Sequence, residues 1–168
     1  MTTKLNRTLD SLKIVRILDE NPDLSDIGIY SDKPGENAID RQERGDMKHG
    51  DFRYCNITNS GEETGNPDSV EQDYQTLEAF NRGEWCEYCI KVRATIKIPV
   101  AHNEGSYRLM AIESTGLWGC SSENPESYFR DVAEDQLAEI LPELTDLGIE
   151  ESVLMEALKD AKISEENY

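Results

Sequence analysis

The chain has 168 residues, and its 35 acidic residues outnumber 17 basic ones, which gives a formal net charge of −18 at pH 7. A chain of this length corresponds to about one domain. Because surfaces that bind nucleic acids or anionic membranes directly need positive charge, this composition argues against direct contact with either.

The N-terminal segment contains neither a long apolar stretch nor a small-residue cleavage site of the secretory type. No run in the chain approaches the about 18 apolar residues that a membrane-spanning helix requires. The sequence therefore predicts a cytoplasmic protein, whose four cysteines would remain mostly as thiols.

In the N-terminal part of the chain, apolar residues at three- and four-residue spacings predict a helix over residues 5–20, which Pro22 would end. Short strands are predicted at Ile27–Tyr30 and Phe52–Thr58. The segment 31–50 between them is polar and punctuated by glycine and proline, so it is predicted as a long mobile loop.

The central part contains the clearest local patterns. After a second predicted loop at 60–66, a helix is expected over Ser69–Arg82, with Gly83 as its C-terminal stop. From Tyr88 to Ile98 apolar and polar residues alternate, which indicates a long half-buried strand. A further strand at Tyr107–Ser114 would pair with it as an antiparallel hairpin.

The C-terminal part is predicted to be helical and acidic over residues 122–162. Pro125 marks the start of a long helix that runs to about residue 147, and Pro142 is expected to kink or split it. Six apolar residues of this helix are expected to face inward: Tyr128, Val132, Leu137, Ile140, Leu141 and Leu144. A last helix is predicted over 149–162, with five apolar residues: Val153, Leu154, Ala157, Leu158 and Ala161.

These elements predict one domain of the α+β class over residues 1–168. Its short antiparallel sheet, with one long hairpin, would carry helices packed on one face. No internal repeat divides the chain.

Negative charge is concentrated near the C-terminus: residues 121–168 hold 14 acidic and 3 basic residues. Four carboxylates are spaced by four in the long predicted helix, which places them in one row at intervals of about 6 Å: Asp131, Asp135, Glu139 and Glu143. Glu126 and Glu134 widen this row. Such a helix face is either a hydrated surface that keeps the protein soluble or an imitation of a nucleic-acid backbone that binds a basic groove.

Chemistry-bearing motifs are few. Cys86 and Cys89 form a C-x-x-C, but positions i and i+3 of a strand point to opposite faces and no βαβ unit surrounds them, so buried thiols are favoured over zinc or redox chemistry. His49 and His102 fall in polar loops without a partner pattern. No nucleophile elbow and no phosphate-binding loop occurs. The sequence predicts no catalytic residues, no metal site, no cofactor and no enzyme activity.

Two glycines bracket a Leu-Trp pair in the segment Ser114–Gly119 (STGLWG), between the predicted hairpin and the long helix. Trp118 either packs over the sheet or stands out as an anchor of an interface.

Four segments follow one another in a recognisable order: Asp73–Trp85 (DYQTLEAFNRGEW), Ile90–Ala94 (IKVRA), Ser114–Gly119 and Glu134–Leu137 (EDQL). In pattern and order, residues 50–148 resemble a family of small acidic proteins that bacteriophages and other mobile elements encode. The resemblance implies no assigned activity, and the four cysteines are not part of it. It implies a host-interaction role in the host cytoplasm, since small acidic phage proteins include anti-CRISPR and antirestriction inhibitors, several of which mimic DNA.

Three hypotheses follow. The first is a non-enzymatic inhibitor or modulator that binds a basic nucleic-acid-handling host protein through the row of carboxylates, with Glu126, Glu134 and Trp118 beside it. The second is an accessory protein that binds a small ligand or RNA fragment in a pocket near the basic segment 41–53 (Arg41, Arg44, Lys48, His49 and Arg53). The third is a structural protein that assembles into a homo-oligomer through the hairpin edge.

Overall fold

The computed structural model describes residues 7–48, 50–58, 67–100 and 105–166. The predicted loop at 60–66 and both histidines, His49 and His102, lie outside these residues. Within them the chain forms eight strands and four helices, in the order β1 (Thr8–Leu18), β2 (Gly28–Ser31), β3 (Ala38–Asp40), α1 (Arg41–Arg44), β4 (Tyr54–Ile57), α2 (Pro67–Asn81), β5 (Glu87–Pro99), β6 (Tyr107–Glu113), β7 (Leu117–Ser121), α3 (Glu126–Asp146), α4 (Glu151–Asp160) and β8 (Ile163–Glu166). The α+β class is confirmed.

The chain groups into two compact units: residues 1–20 with 87–168, called here the larger unit, and residues 21–86, the smaller unit. Each has its own sheet, where the sequence suggested one. That the whole chain forms a single domain stays a prediction.

The sheet of the larger unit has the strand order β6-β5-β1-β8, and β7 also pairs with β5. All pairs are antiparallel except that of β8 with β1. The hairpin of β5 and β6 is confirmed, and alternate β5 residues are buried as predicted: Ile90, Val92, Ala94 and Ile96. They form one core with the buried faces of α3 and α4. Where β1 meets β5, Leu18 lies opposite Tyr88, and the Asp19 N–H donates to the Glu87 carbonyl at 2.9 Å.

The predicted helix over 5–20 is wrong, because residues 8–18 form β1. β1 pairs on both sides and is buried on both faces. Ile14 lies in the main core, whereas Val15 and Ile17 pack with Cys89 on the opposite face. Burial on both faces produces a near-continuous apolar run, which hides the alternation of a strand.

The two C-terminal helices are confirmed, with corrections. Pro142 does not split α3, which is continuous from Glu126 to Asp146. Pro142 is exposed, and a proline removes one backbone hydrogen bond without breaking those on either side. Tyr128 is exposed and its neighbour Phe129 is buried instead, while Val153 of α4 is also exposed.

Two short strands escape sequence analysis. β7 begins inside the predicted Ser114–Gly119 turn, and β8 begins directly after residue 162, where the last predicted helix ends. Both are four or five residues long and exist because a neighbouring strand offers hydrogen bonds. Such pairing depends on partners distant in sequence.

In the smaller unit, β2, β4 and β3 form an antiparallel sheet in that order. The two predicted strands and the helix over 69–82 are confirmed as β2, β4 and α2. A small core joins sheet and helix: Ile39, Cys55, Ile57, Tyr74 and Leu77. The segment 31–50 is not a continuous loop, since it forms β3 and α1, and the Asp40 carboxylate caps α1 by accepting from two backbone N–H groups. Its mobility stays a prediction.

Tyr74 couples the stability of the smaller unit to alkaline pH. Its side chain is buried, and its hydroxyl donates to Asp46 at 2.9 Å. Burial, together with this carboxylate, raises the pKa of Tyr74 to about 12. An unfolded tyrosine has a pKa of about 10. Between these two values the folded state keeps a proton that the unfolded state loses, so the free energy of unfolding falls as pH rises through this window.

We expect Tyr74→Phe to remove this contribution. At pH 7 the free energy of unfolding of the variant should be lower by about 1 kcal/mol, because the hydrogen bond to Asp46 is gone. Between about pH 10 and pH 12 its stability should fall less steeply than that of the wild type. Urea unfolding at a series of pH values measures both effects. Identical slopes for the two proteins in the alkaline window would contradict the expectation.

Candidate functional site

The acidic face is the row formed by Asp131, Asp135, Glu139 and Glu143 on α3. All four side chains are exposed. The opposite side of α3 is buried in the core of the larger unit through Phe129, Val132, Ala133, Leu137, Ile140 and Leu144. Because one residue of an α-helix advances 1.5 Å, the row extends over about 18 Å. The spacing read from the sequence therefore corresponds to one continuous exposed face.

Within the part of the chain that the structure describes, the acidic face has no cationic partner. Among the ion pairs of the described residues, none involves Asp131, Asp135, Glu139 or Glu143. The one basic residue within α3 is Arg130, and its guanidinium pairs with Glu126 at 2.9 Å. Glu126 is thus partly neutralised, whereas Glu134 is exposed like the row itself. Carboxylates spaced by four repel one another slightly, so the apolar side of α3 must hold the helix.

Glu139 differs from the rest of the row, because it also fixes α3 to the connection between β6 and β7. Its carboxylate accepts from the Thr115 N–H at 3.1 Å and from the Thr115 hydroxyl at 3.0 Å. One turn earlier, the Gln136 amide oxygen accepts the Gly116 N–H at 2.9 Å. These contacts give the middle of the acidic face a fixed position.

Trp118 follows directly in β7. It is 47% exposed and its neighbour Leu117 is 44% exposed, so neither is enclosed by the core. Three residues span at most about 10 Å, which keeps Trp118 near the Thr115 contact with Glu139. An exposed aromatic residue beside an unpaired acidic row is the arrangement expected of an anchor in an interface. That role of Trp118 stays a prediction.

The three arginines of the basic segment 41–53 all have carboxylate partners. Arg41 is buried and pairs with Glu78 at 3.2 Å and with Asp51 at 3.5 Å. The two exposed arginines also have carboxylate partners: Arg44 pairs with Glu71, and Arg53 pairs with Asp40 at 2.6 Å. The three arginines are therefore compensated locally, and two of their carboxylate partners, Glu71 and Glu78, lie well outside the segment.

A cavity of about 380 Å³ does lie at this segment in the smaller unit. Its wall includes Tyr30, Arg41, Lys48, Phe52, Glu78 and Asn81. The Tyr30 hydroxyl donates to Glu78 at 3.0 Å and accepts from the Asn81 amide at 2.6 Å. Burial, with the adjacent Glu78 carboxylate, raises the pKa of Tyr30. The cavity is thus lined by a connected polar network with an exposed phenylalanine at its wall.

Three of the four cysteines are buried: Cys55, Cys89 and Cys120. Burial raises the pKa of Cys55 to about 11 and also raises those of the other two. Such thiols are poor nucleophiles because the thiolate is the reactive form. Among the described residues no three His, Cys, Asp or Glu side chains group as metal ligands would. The absence of a metal, a cofactor and an enzyme activity stays a prediction.

The hairpin edge of the larger unit is open in the described part of the chain, since β6 pairs there with β5 alone. Tyr107 and Leu109 of this strand are exposed. A free edge with apolar side chains can pair with another strand. Assembly through this edge stays a prediction.

No family model, no curated protein and no solved structure matches this chain. In the residues that the structure describes, no helix has both the length and the apolar character needed to cross a membrane. The functional conclusion therefore depends on the geometry of the acidic face and its surroundings.

Proposed function

We propose that the protein binds the basic surface of a nucleic-acid-handling host protein through the acidic face of α3, and so inhibits or modulates that protein. The observation that carries the proposal is the exposed row of Asp131, Asp135, Glu139 and Glu143, which lacks cationic partners among the described residues. The helix bears the repulsion within this row. A cationic surface of a partner would relieve it.

In this mechanism the carboxylates replace phosphates. A groove that holds DNA or RNA carries positive charges that face the phosphates of its ligand, and a regular row of negative charges can occupy it. Exposed Trp118 and Leu117 add apolar area next to the row, which gives the contact directionality. Binding is then fast and falls steeply with salt.

The resemblance to small acidic proteins of phages and mobile elements supports an anti-CRISPR or antirestriction role. Hosts of such elements attack foreign DNA with nucleases, whose DNA grooves are basic. The proposed partner class is therefore a CRISPR or restriction nuclease complex, and the net charge of −18 disfavours a long nucleic acid as the ligand of this face.

A quadruple variant tests the proposal: Asp131→Asn, Asp135→Asn, Glu139→Gln and Glu143→Gln. Its matched control neutralises four exposed carboxylates on or beside α4: Glu150→Gln, Glu151→Gln, Glu156→Gln and Asp160→Asn. Both changes alter the net charge equally. Inhibition of DNA cleavage is measured over a panel of purified CRISPR and restriction nucleases at several salt concentrations.

We expect the wild type to inhibit at least one nuclease, with a potency that falls steeply as salt rises. The α3 variant should lose about a hundredfold or more in potency, whereas the α4 control should stay within about fivefold. Circular dichroism should show both folded. Equal potency of the α3 variant and the wild type, or equal losses in both variants, would refute the acidic face as the binding surface.

A second candidate function is the binding of a small polar ligand or an RNA fragment in the cavity of the smaller unit. The observation that favours it is the polar network of Tyr30, Glu78 and Asn81 around buried Arg41, with exposed Phe52 available for stacking. This site belongs to a different unit from α3. The quadruple α3 variant would leave such binding unchanged, which separates the two functions.

A further inference from the structure

The few basic residues of the C-terminal part are not scattered. Residues 121–168 contain three, namely Arg130, Lys159 and Lys162, against 14 acidic residues. Arg130 lines two cavities of the larger unit, one shared with Lys159 and the other with Lys162. The positive charge of this acidic region therefore lies at two cavities that share Arg130.

The second of these cavities, called here the cationic cavity, has a volume of about 520 Å³. Its charged and polar lining comes from β1, from the turn before α3, from the first turns of α3 and from the connection between α4 and β8: Arg16, Ser122, Asn124, Glu126, Arg130 and Lys162. Three cations from separate segments thus face one space that is large enough for a small metabolite.

The cations are held in different ways. The Arg16 guanidinium lies 4.4 Å from the centre of the Tyr88 ring and 5.8 Å from that of Phe129, and it pairs with Glu165. Arg130 donates to the Ala161 carbonyl at 3.4 Å and to Glu126 at 2.9 Å. These contacts orient both guanidinium groups before any ligand arrives.

The carboxylates that compensate these two arginines are weakly held. The Glu165 side chain is 62% exposed and that of Glu126 is 69% exposed. Exposed ion pairs contribute little, so either carboxylate can turn away at small cost. Lys162 is exposed and has no ion pair within the described residues. The cavity therefore offers three cationic groups to an anion that can bind them together.

We propose that the cationic cavity binds the phosphate group of a small phosphorylated molecule. A dianionic phosphate has enough acceptors for two guanidinium forks and one ammonium group at once, which a single carboxylate lacks. A small ligand is required, because the net charge of −18 repels long polyanions such as DNA, RNA and anionic membranes. This inference is independent of the acidic face.

Inorganic phosphate is the probe for the first experiment, with binding followed by calorimetry and by amide NMR shifts of residues 122–130 and 162–163. We expect saturable binding tighter than about 10 mM. Lys162→Gln should weaken it about tenfold. The matched control is Lys159→Gln, which removes the same charge from the same region but lines the other cavity, and it should stay within about twofold. No saturation, or equal weakening by both variants, would overturn the proposal.

A second pair of variants tests the competing carboxylates. Glu126→Gln and Glu165→Gln remove the groups that occupy Arg130 and Arg16, so each should tighten phosphate binding by about threefold or more. Glu143→Gln changes the net charge equally at a position about 26 Å along α3 from Glu126, and should leave binding within about twofold. Failure of both cavity variants to tighten binding would contradict the site. The affinity of ribose 5-phosphate is then compared with that of inorganic phosphate. Tighter binding of ribose 5-phosphate supports a phosphate ester as the ligand, whereas equal affinities support free phosphate.

Discussion

Gly116→Ala is expected to lower the free energy of unfolding by about 3 kcal/mol or more. Gly116 has a φ of +93°, which is a left-handed backbone conformation that residues other than glycine rarely adopt. A Cβ at this position would lie 2.5 Å from the Cys89 sulfur and 2.7 Å from Cγ of Lys91. Backbone strain and steric overlap therefore add, and Cys89 is fully buried and has little room to move.

Gly119→Ala is the matched control, because it has the strain without the overlap. Its φ is +77°, but the nearest atom to an added Cβ is a Glu87 carboxylate oxygen at 3.9 Å. We expect a loss of about 1 kcal/mol. Denaturant unfolding of the two variants measures the difference. Equal losses would show that the close approach of Gly116 to Cys89 does not limit the packing.

Arg41→Ala is expected to destabilise the smaller unit by about 3–5 kcal/mol. The guanidinium of Arg41 is buried, pairs with Glu78 and Asp51, donates to the Phe52 carbonyl at 3.1 Å and lies over the Tyr30 ring at 4.8 Å. Its removal leaves the Glu78 carboxylate, which is itself largely buried, without a countercharge. An uncompensated buried charge is the larger part of the cost.

Arg44→Ala provides the comparison, because Arg44 and its partner Glu71 are both exposed at the surface of the same unit. The Arg44→Ala substitution should lower the free energy of unfolding by at most about 1 kcal/mol. In Arg41→Ala combined with Glu78→Gln, part of the stability should return, since the unpaired carboxylate is gone. Chemical unfolding of the four proteins forms the test. An Arg41→Ala loss no larger than that of Arg44→Ala would contradict a buried, mutually dependent pair.

The elements that sequence predicted correctly are those with strong local periodicity. β5 alternates over its whole length because only its core face is lined by large apolar residues. α2 and α3 carry clear start signals and one apolar side. The prediction for β1 was wrong because both faces of this strand are buried. β7 and β8 were not predicted because each depends on pairing with a strand that is distant in the sequence. Local pattern cannot represent either situation.

In the candidate site, too, local spacing was predicted from the sequence, whereas contacts between distant segments were not. The spacing of Asp131, Asp135, Glu139 and Glu143 follows from helical geometry alone, so the sequence predicted the row and the structure confirms its shared exposure. The second role of Glu139, as an acceptor for Thr115, required the fold.

By composition alone, the segment 41–53 is basic. Two of its arginines are paired by α2 carboxylates that lie about thirty residues further along the chain, Glu71 and Glu78. Arg53 is paired from within the same stretch of sequence, by Asp40. Compensation of charge is a tertiary property, and composition does not report it.

The pairing of Leu18 with Tyr88, followed by the hydrogen bond from Asp19 to Glu87, defines where residues 21–86 are inserted in the chain. The chain leaves β1 after Leu18 and enters β5 at Glu87, next to the residue that pairs with Leu18. Residues 21–86 lie between these two points of the chain. A short turn could connect the end of β1 directly to the start of β5. Exchanging or removing residues 21–86 would therefore not require a change in the register with which β1 pairs with β5.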